Sequence, residues 1–103
     1  MTRVAAIDCG TNSIRLLVAD VDGQTLTDVV RRMEIVRLGE GVDRTGRLAA
    51  AAIERTRVAV ADFTAQLRNL GADRVRMVAT SATRDADNRE DFRAMVVATL
   101  GVG

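Results

Sequence analysis

The chain has no histidine and no lysine, a single cysteine, and only two aromatic residues, Phe63 and Phe92, among 103 residues. Without histidine, neither a Ser-His-Asp or Cys-His arrangement nor a histidine-ligated metal can be built from this chain. A lone Cys9 cannot close an internal disulfide. Long apolar runs are missing as well: after Met1-Thr2-Arg3, the run Val4-Ala5-Ala6-Ile7 stops at Asp8, too soon for a secretory signal or a membrane span. The expectation is a cytoplasmic chain with no membrane partner. Charge of one sign is also lacking, since 15 basic and 14 acidic residues leave a net +1. With no basic tail and no aromatic-basic interleaving, a nucleic-acid partner has little electrostatic support. Every basic residue is arginine, which suits bidentate contacts to phosphate and carboxylate, although codon usage explains the missing lysines more simply.

What is present fits one domain or a piece of one, with a small core. The 48% hydrophobic fraction is inflated by alanine, as in Ala49 to Ala52, so packing must be aliphatic. Arg3 to Asp8 reads as a short strand whose unbroken apolar character predicts burial on both faces at a sheet centre. Ile14 to Val21 is the next strand, and Asp22-Gly23 offers a tight turn into a third within Thr25 to Leu38. Gly39, Gly41 and Gly46, with Asp43 and Thr45, mark a loop. From Leu48 to Leu70 the period becomes helical: Ile53, Thr56, Val60, Phe63, Leu67 and Leu70 form one stripe, and Gly71 ends it. Arg74 to Ala79 is a fourth strand, and Thr80 to Asn88 a polar loop. A second helix begins there, capped by Asn88 or Asp87, with Glu90 and Asp91 in its first turn and Phe92, Met95, Val96 and Leu100 on its buried face.

The order is strand, strand, strand, helix, strand, helix, an α/β pattern. A helical crossover returns the fourth strand parallel to a strand of the same sheet. If it lies beside the first, Asp8 to Ser13 and Thr80 to Asn88 emerge at one sheet end, where open α/β sheets bind ligands.

Those two segments carry suitable chemistry. Asp8 at a strand end could hold Mg²⁺ or another divalent cation, since such a hard ion takes one or two carboxylates plus phosphate oxygens. Gly10 allows close backbone approach, and Thr11, Asn12 and Ser13 can donate to phosphate. Arg84 adds a bidentate cation, and the helix starting near Asn88 points positive dipoles at the same anion. An ordinary polar turn and an ordinary capped loop account for the same residues on spacing alone. Two other patterns compete. Cys9 and Arg15 have the spacing of cysteine-dependent phosphatases, but Ile14 to Ala19 reads as a strand where a helix is needed. Leu16 to Gly23 is similar to the nucleophile motif of haloacid-dehalogenase-type hydrolases, but Gln24 replaces its threonine and no lysine exists for the later motif. A hairpin turn explains it better.

Ile7-Asp8-Cys9-Gly10-Thr11-Asn12-Ser13-Ile14-Arg15-Leu16 resembles the first phosphate loop of the exopolyphosphatase and guanosine pentaphosphate phosphatase (Ppx/GppA) family. Val36-Arg37-Leu38-Gly39-Glu40-Gly41 fits the same family, and Val78-Ala79-Thr80-Ser81-Ala82-Thr83-Arg84-Asp85-Ala86-Asp87-Asn88 is the most distinctive match. The resemblance implies a ribonuclease-H-like half-domain of the actin, sugar-kinase and heat-shock-chaperone superfamily, truncated before its fifth strand. It also implies removal of terminal phosphate from inorganic polyphosphate or guanosine pentaphosphate with a divalent metal. Asp8 would sit at the metal and the activated water, with Arg84 reaching the polyanion. Gly10, Thr11, Asn12, Ser13, Thr80, Ser81 and Asn88 would bind phosphate. The family's catalytic glutamate and second glycine-rich loop come after Gly103, and Glu90 does not match that glutamate by motif. Three readings stay open: a fragment of a phosphoanhydride hydrolase; a non-catalytic phosphate-binding or assembly module that self-associates or is completed by another chain; and a chaperone-like ATPase, which shares the Asp-x-Gly-Thr turn.

Overall fold

The structure is a computed structural model that describes residues 2–79 and 86–101. Strands β1 (Thr2–Cys9), β2 (Ser13–Asp22) and β3 (Thr25–Ile35) are followed by a one-turn helix α1 (Val42–Thr45) and a long helix α2 (Ala50–Asn69). Strand β4 (Arg74–Ala79) and helix α3 (Arg89–Leu100) complete the described elements. The sheet order is β3-β2-β1-β4. The first three strands form an antiparallel meander, and β4 returns parallel to β1. This is the expected α/β order with α1 added. Gly41 and Gly46, both left-handed at φ 79 and φ 69, frame that single turn, which is too short to leave a periodic apolar signal.

The hairpin between β2 and β3 forms where Asp22-Gly23 suggested. Gly23 takes φ 62 at the first loop position, a left-handed conformation that suits the strand twist. At the far end of α2, Gly71 also turns left-handed (φ 71). Its N–H donates to the Arg68 carbonyl and the Ala72 N–H to that of Leu67, each at 3.1 Å. This paired closure satisfies carbonyls that a helix end otherwise leaves bare.

The core lies on one side of the sheet. Ala5, Ile7 and Cys9 of β1 pair in register with Val18, Leu16 and Ile14 of β2, and all are buried. Against them pack Val60, Phe63 and Leu67 of α2 and Phe92, Val96 and Leu100 of α3. Thr56 and Thr64 are buried on the same helix because each hydroxyl donates to the carbonyl four residues back, Ala52 and Val60, at 2.9 and 2.6 Å. Arg32 of β3 reaches over this side. Its guanidinium lies 5.0 Å from the Phe63 ring centre and donates to Asp62 and Gln66 at 2.7 and 2.9 Å, so the charge that interrupts β3 ties the strand to α2.

One expectation is corrected here. The apolar run of β1 predicted burial on both faces, yet the strand alternates, with Ala6 and Asp8 exposed between Ala5, Ile7 and Cys9. β1 is central in hydrogen bonding, between β2 and β4, but among the described residues helices cover one face of it. Small apolar residues such as Val4 and Ala6 do not reveal by periodicity which face is covered. Among the described residues, no helix is long and apolar enough to cross a membrane.

Candidate functional site

The turn from Gly10 to Ser13 joins β1 to β2, and the carbonyls of Thr11, Asn12 and Ser13 each accept from a backbone N–H. The Ser13 carbonyl accepts from Gly10 N–H at 2.8 Å, and the Asn12 carbonyl accepts from Val36 and Arg37 at 3.0 and 2.9 Å. The Thr11 carbonyl accepts from Gly39 N–H at 2.8 Å. Two glycines make this possible. A Cβ on Gly10 would stand 3.2 Å from the Ser13 oxygen, and one on Gly39 would collide with the Thr11 methyl. Carbonyls that are already taken by N–H groups are not free to face and repel an anion.

Asp8 sits just before this turn on the open face, exposed, and directly opposite Arg15 in the β1–β2 register. Both line a depression of about 470 Å³ with Leu17, Arg31 and Met33. Arg31 is held by Asp28 at 2.6 Å, whereas Arg15 has no ion-pair partner among the described residues. From the sequence Arg15 stands out through its spacing from Cys9 and as part of the Ile7–Leu16 string, without a role of its own at the phosphate turn. Its place beside Asp8 follows from strand alternation and hairpin register, a signal that was available in the sequence. Among the described residues no three His, Cys, Asp or Glu side chains cluster to hold a metal, so Asp8 can offer a single carboxylate.

The second half of the expected site is reached from the parallel pair β1 and β4. Cys9 and Ala79 are register partners at the end of that ladder, so β1 and β4 end side by side. Thr80, Ser81 and Arg84 lie outside the described residues. Asn88 is described. Its Oδ1 accepts from Leu48 N–H at 2.8 Å and its Nδ2 donates to the Leu48 carbonyl at 2.9 Å. It stands at the N-cap of α3 without a side-chain cap bond, which corrects the expected capping role: the carboxamide holds the entry to α2 instead. The Asp87 N–H adds a bond of 2.8 Å to the Gly46 carbonyl. Segment 36–48 thus runs from the Gly10–Ser13 turn to the start of α3, gripping both.

The two competing patterns fail on geometry. Cys9 is fully buried, and burial, with the negative Asp8 adding to it, pushes its thiol up to about 12. Such a thiol is no nucleophile at neutral pH, and the residues after it form β2 rather than a phosphate-cradling helix. In the second pattern, Asp20 is bound by Arg3 through two hydrogen bonds of 2.8 and 3.0 Å, and Gly23 serves the hairpin.

Residues 17–103 match the model of the Ppx/GppA phosphatase family. The chain belongs to this family. It is 59% identical over 105 residues to exopolyphosphatase 2 of Mycobacterium tuberculosis, covering 98% of this chain and 33% of that protein. It is 39% identical over 88 residues to guanosine-5'-triphosphate,3'-diphosphate pyrophosphatase of Aeromonas hydrophila, covering 85% of this chain and 18% of that protein. The crystal structure of the Aquifex aeolicus Ppx/GppA family member superposes with a TM-score of 0.93 at 36% identity, covering 98% of this chain and 33% of that one. The chain therefore spans about a third or less of these relatives' lengths. Its fold is the actin-like one expected, as a part of the larger Ppx/GppA domain. The family model begins within β2, after Asp8 and the Gly10–Ser13 turn, while the matches covering 98% of the chain take in both.

Proposed function

We propose that this Ppx/GppA chain supplies one wall of a phosphoanhydride hydrolase site that releases terminal phosphate from inorganic polyphosphate or guanosine pentaphosphate. The observation that carries the reading is a turn whose Thr11, Asn12 and Ser13 carbonyls are all taken by backbone N–H groups, next to an exposed carboxylate. The relatives' names, an exopolyphosphatase and a guanosine pentaphosphate pyrophosphatase, support the same substrates. In the reaction, water attacks the terminal phosphorus, the bridging P–O bond breaks, and orthophosphate leaves a chain one phosphate shorter.

In this reading Gly10 admits the phosphate close to the backbone and Thr11, Asn12 and Ser13 donate to its oxygens. Arg15 brings positive charge to the same face from across the hairpin. Arg84, Thr80 and Ser81 would complete the anion's surroundings from the loop after β4. Asp8 fits Mg²⁺ as its one protein carboxylate, because this ion keeps several waters and accepts phosphate oxygens for the rest. Bound there, it would offset charge developing on the phosphate oxygens. Asp8 would also accept a hydrogen bond from the attacking water.

The test is phosphate release from polyphosphate by the protein that contains this chain, with Mg²⁺ supplied. Removing one group that stabilises developing charge costs on the order of a hundredfold or more in turnover. Asp8→Asn and Arg84→Ala should each show a loss of that size, and Cys9→Ser should not. Wild-type-like turnover in Asp8→Asn, or its disappearance in Cys9→Ser, would overturn the reading.

A further inference from the structure

We infer that Arg55, on the outer side of α2, is a positioning residue for the phosphate turn, an inference that rests on the proposed function of that turn. Several arginines on the helices and strands pair mainly with acidic side chains. Arg57, for example, sits against Glu54 one turn away and Arg32 against Asp62. Arg55 is spent on backbone instead. Its Nε donates to the Val36 carbonyl at 2.8 Å and its Nη2 to the Arg37 carbonyl at 3.3 Å, with the Glu40 carboxylate at 3.5 Å.

Val36 and Arg37 are the residues whose N–H groups donate to the Asn12 carbonyl. Arg55 therefore grips by their carbonyls the same residues that grip the turn by their amides. The grip is needed because Arg37 adopts φ 50, the only non-glycine positive φ among the described residues. A side-chain-bearing residue leaves that region unless its surroundings hold it there. Glu40 N–H closes on the Arg37 carbonyl at 3.1 Å, and Gly39 carries the segment on to Thr11. If the segment relaxes, the carbonyls of Thr11 and Asn12 lose their donors and become free to face an incoming phosphate, where they repel it. Arg55 is 38% exposed, so its loss empties no core position.

The experiment uses the 103-residue chain with Arg55→Met, Arg55→Lys and Gly39→Ala, and tripolyphosphate as the probe. Amide hydrogen exchange is followed at Val36, Arg37 and Gly39, with Ile7 and Leu16 as sheet controls. Affinity is read from the amide shifts of residues 10–13. Losing hydrogen bonds from a charged donor is worth about tenfold in a local equilibrium. Arg55→Met should raise exchange at Val36, Arg37 and Gly39, and weaken tripolyphosphate binding, each by about that factor, with Ile7 and Leu16 unchanged. Arg55→Lys should recover part of both, and Gly39→Ala should weaken binding with Arg55 intact. Unchanged exchange at the three amides, unchanged affinity, or a loss of protection that spreads to Ile7 and Leu16 would each overturn the inference. If tripolyphosphate shifts no amide in the wild-type chain, the phosphate reading fails, while the exchange arm still decides whether Arg55 holds the turn.

Discussion

At the scale of single residues, Cys9 shows how one side chain separates two chemistries. Next to an aspartate and a glycine, and followed at the right distance by Arg15, it carries the outline of a thiolate nucleophile. The fold puts its sulfur on the covered face of β1, with Sγ 3.9 Å from the Gly10 carbonyl, and its thiol is raised to about 12. A raised value means the native state holds the proton more tightly than the unfolded one. Stability from this site is thus fully present below the ordinary thiol range of about 8.5 and is lost as pH climbs towards 12. The same shift governs reactivity. At pH 8 iodoacetamide should alkylate the native chain on the order of a thousandfold more slowly than the chain in denaturant, because alkylation needs the thiolate. Mass spectrometry over time measures this, and near-equal rates would refute the burial. Alternation along β1 would have predicted it, had the apolar run not concealed which face was covered. Arg37 lay beyond any sequence reading, since nothing in its neighbours announces a left-handed arginine held by an arginine from a distant helix.

Elements were legible wherever a local signal marked them. Gly23 and Gly71 fixed a hairpin and a helix end from sequence alone, because only glycine enters those left-handed positions cheaply. The stripe of α2 and the first-turn acids of α3 were read for the same reason: each is a pattern within a few turns of chain. The joints between elements were not. Ala49 leaves α2 without a side-chain cap, and the sequence shows no remedy nearby. The chain entering α2 is held instead by Asn88, forty positions beyond Leu48, whose carboxamide takes both the N–H and the carbonyl of Leu48. Asn88→Ala should cost about 1–3 kcal/mol, because two backbone groups beside a buried leucine lose their partners together. Asn88→Asp should recover only part, since a carboxylate accepts from the N–H but cannot donate to the carbonyl. Urea denaturation of the three proteins checks the order. Equal midpoints for wild type and Asn88→Ala would show that the bracket contributes nothing. The candidate site divides in the same way: Asp8 and the Gly10–Ser13 turn stood out as a local string, while Arg15 and the segment 36–40 joined it only through pairing across strands and loops.

For the whole molecule, sequence reasoning supplied the meander and the parallel return of β4 to its sheet, because a helical crossover permits few alternatives, and entertained the place beside β1 only as a condition. The bare side of the sheet was what it missed. The Cα radius of gyration is 14.2 Å, against about 13 Å for a compact chain of this size, and the extents of 46 × 22 × 19 Å describe an elongated body. Along the uncovered face, Leu26, Met33, Ile35 and Val78 are between 51% and 59% exposed. A groove of about 580 Å³ runs there, lined by Val4, Leu17, Ala19 and Leu26 and flanked by Arg74 and Arg76. At one border β4 is also an edge strand, with no neighbour beyond it among the described residues. Apolar side chains exposed together and an unpaired edge both favour association. The isolated 103-residue chain is therefore expected to sediment with a weight-average coefficient that rises with concentration. Leu26→Gln combined with Met33→Gln should move it towards monomer, because both side chains stand on the bare face and neither belongs to the buried core. Circular dichroism would confirm that the double variant keeps its fold. A wild-type chain that sediments as monomer across the whole concentration range would show that this face is tolerated bare in water.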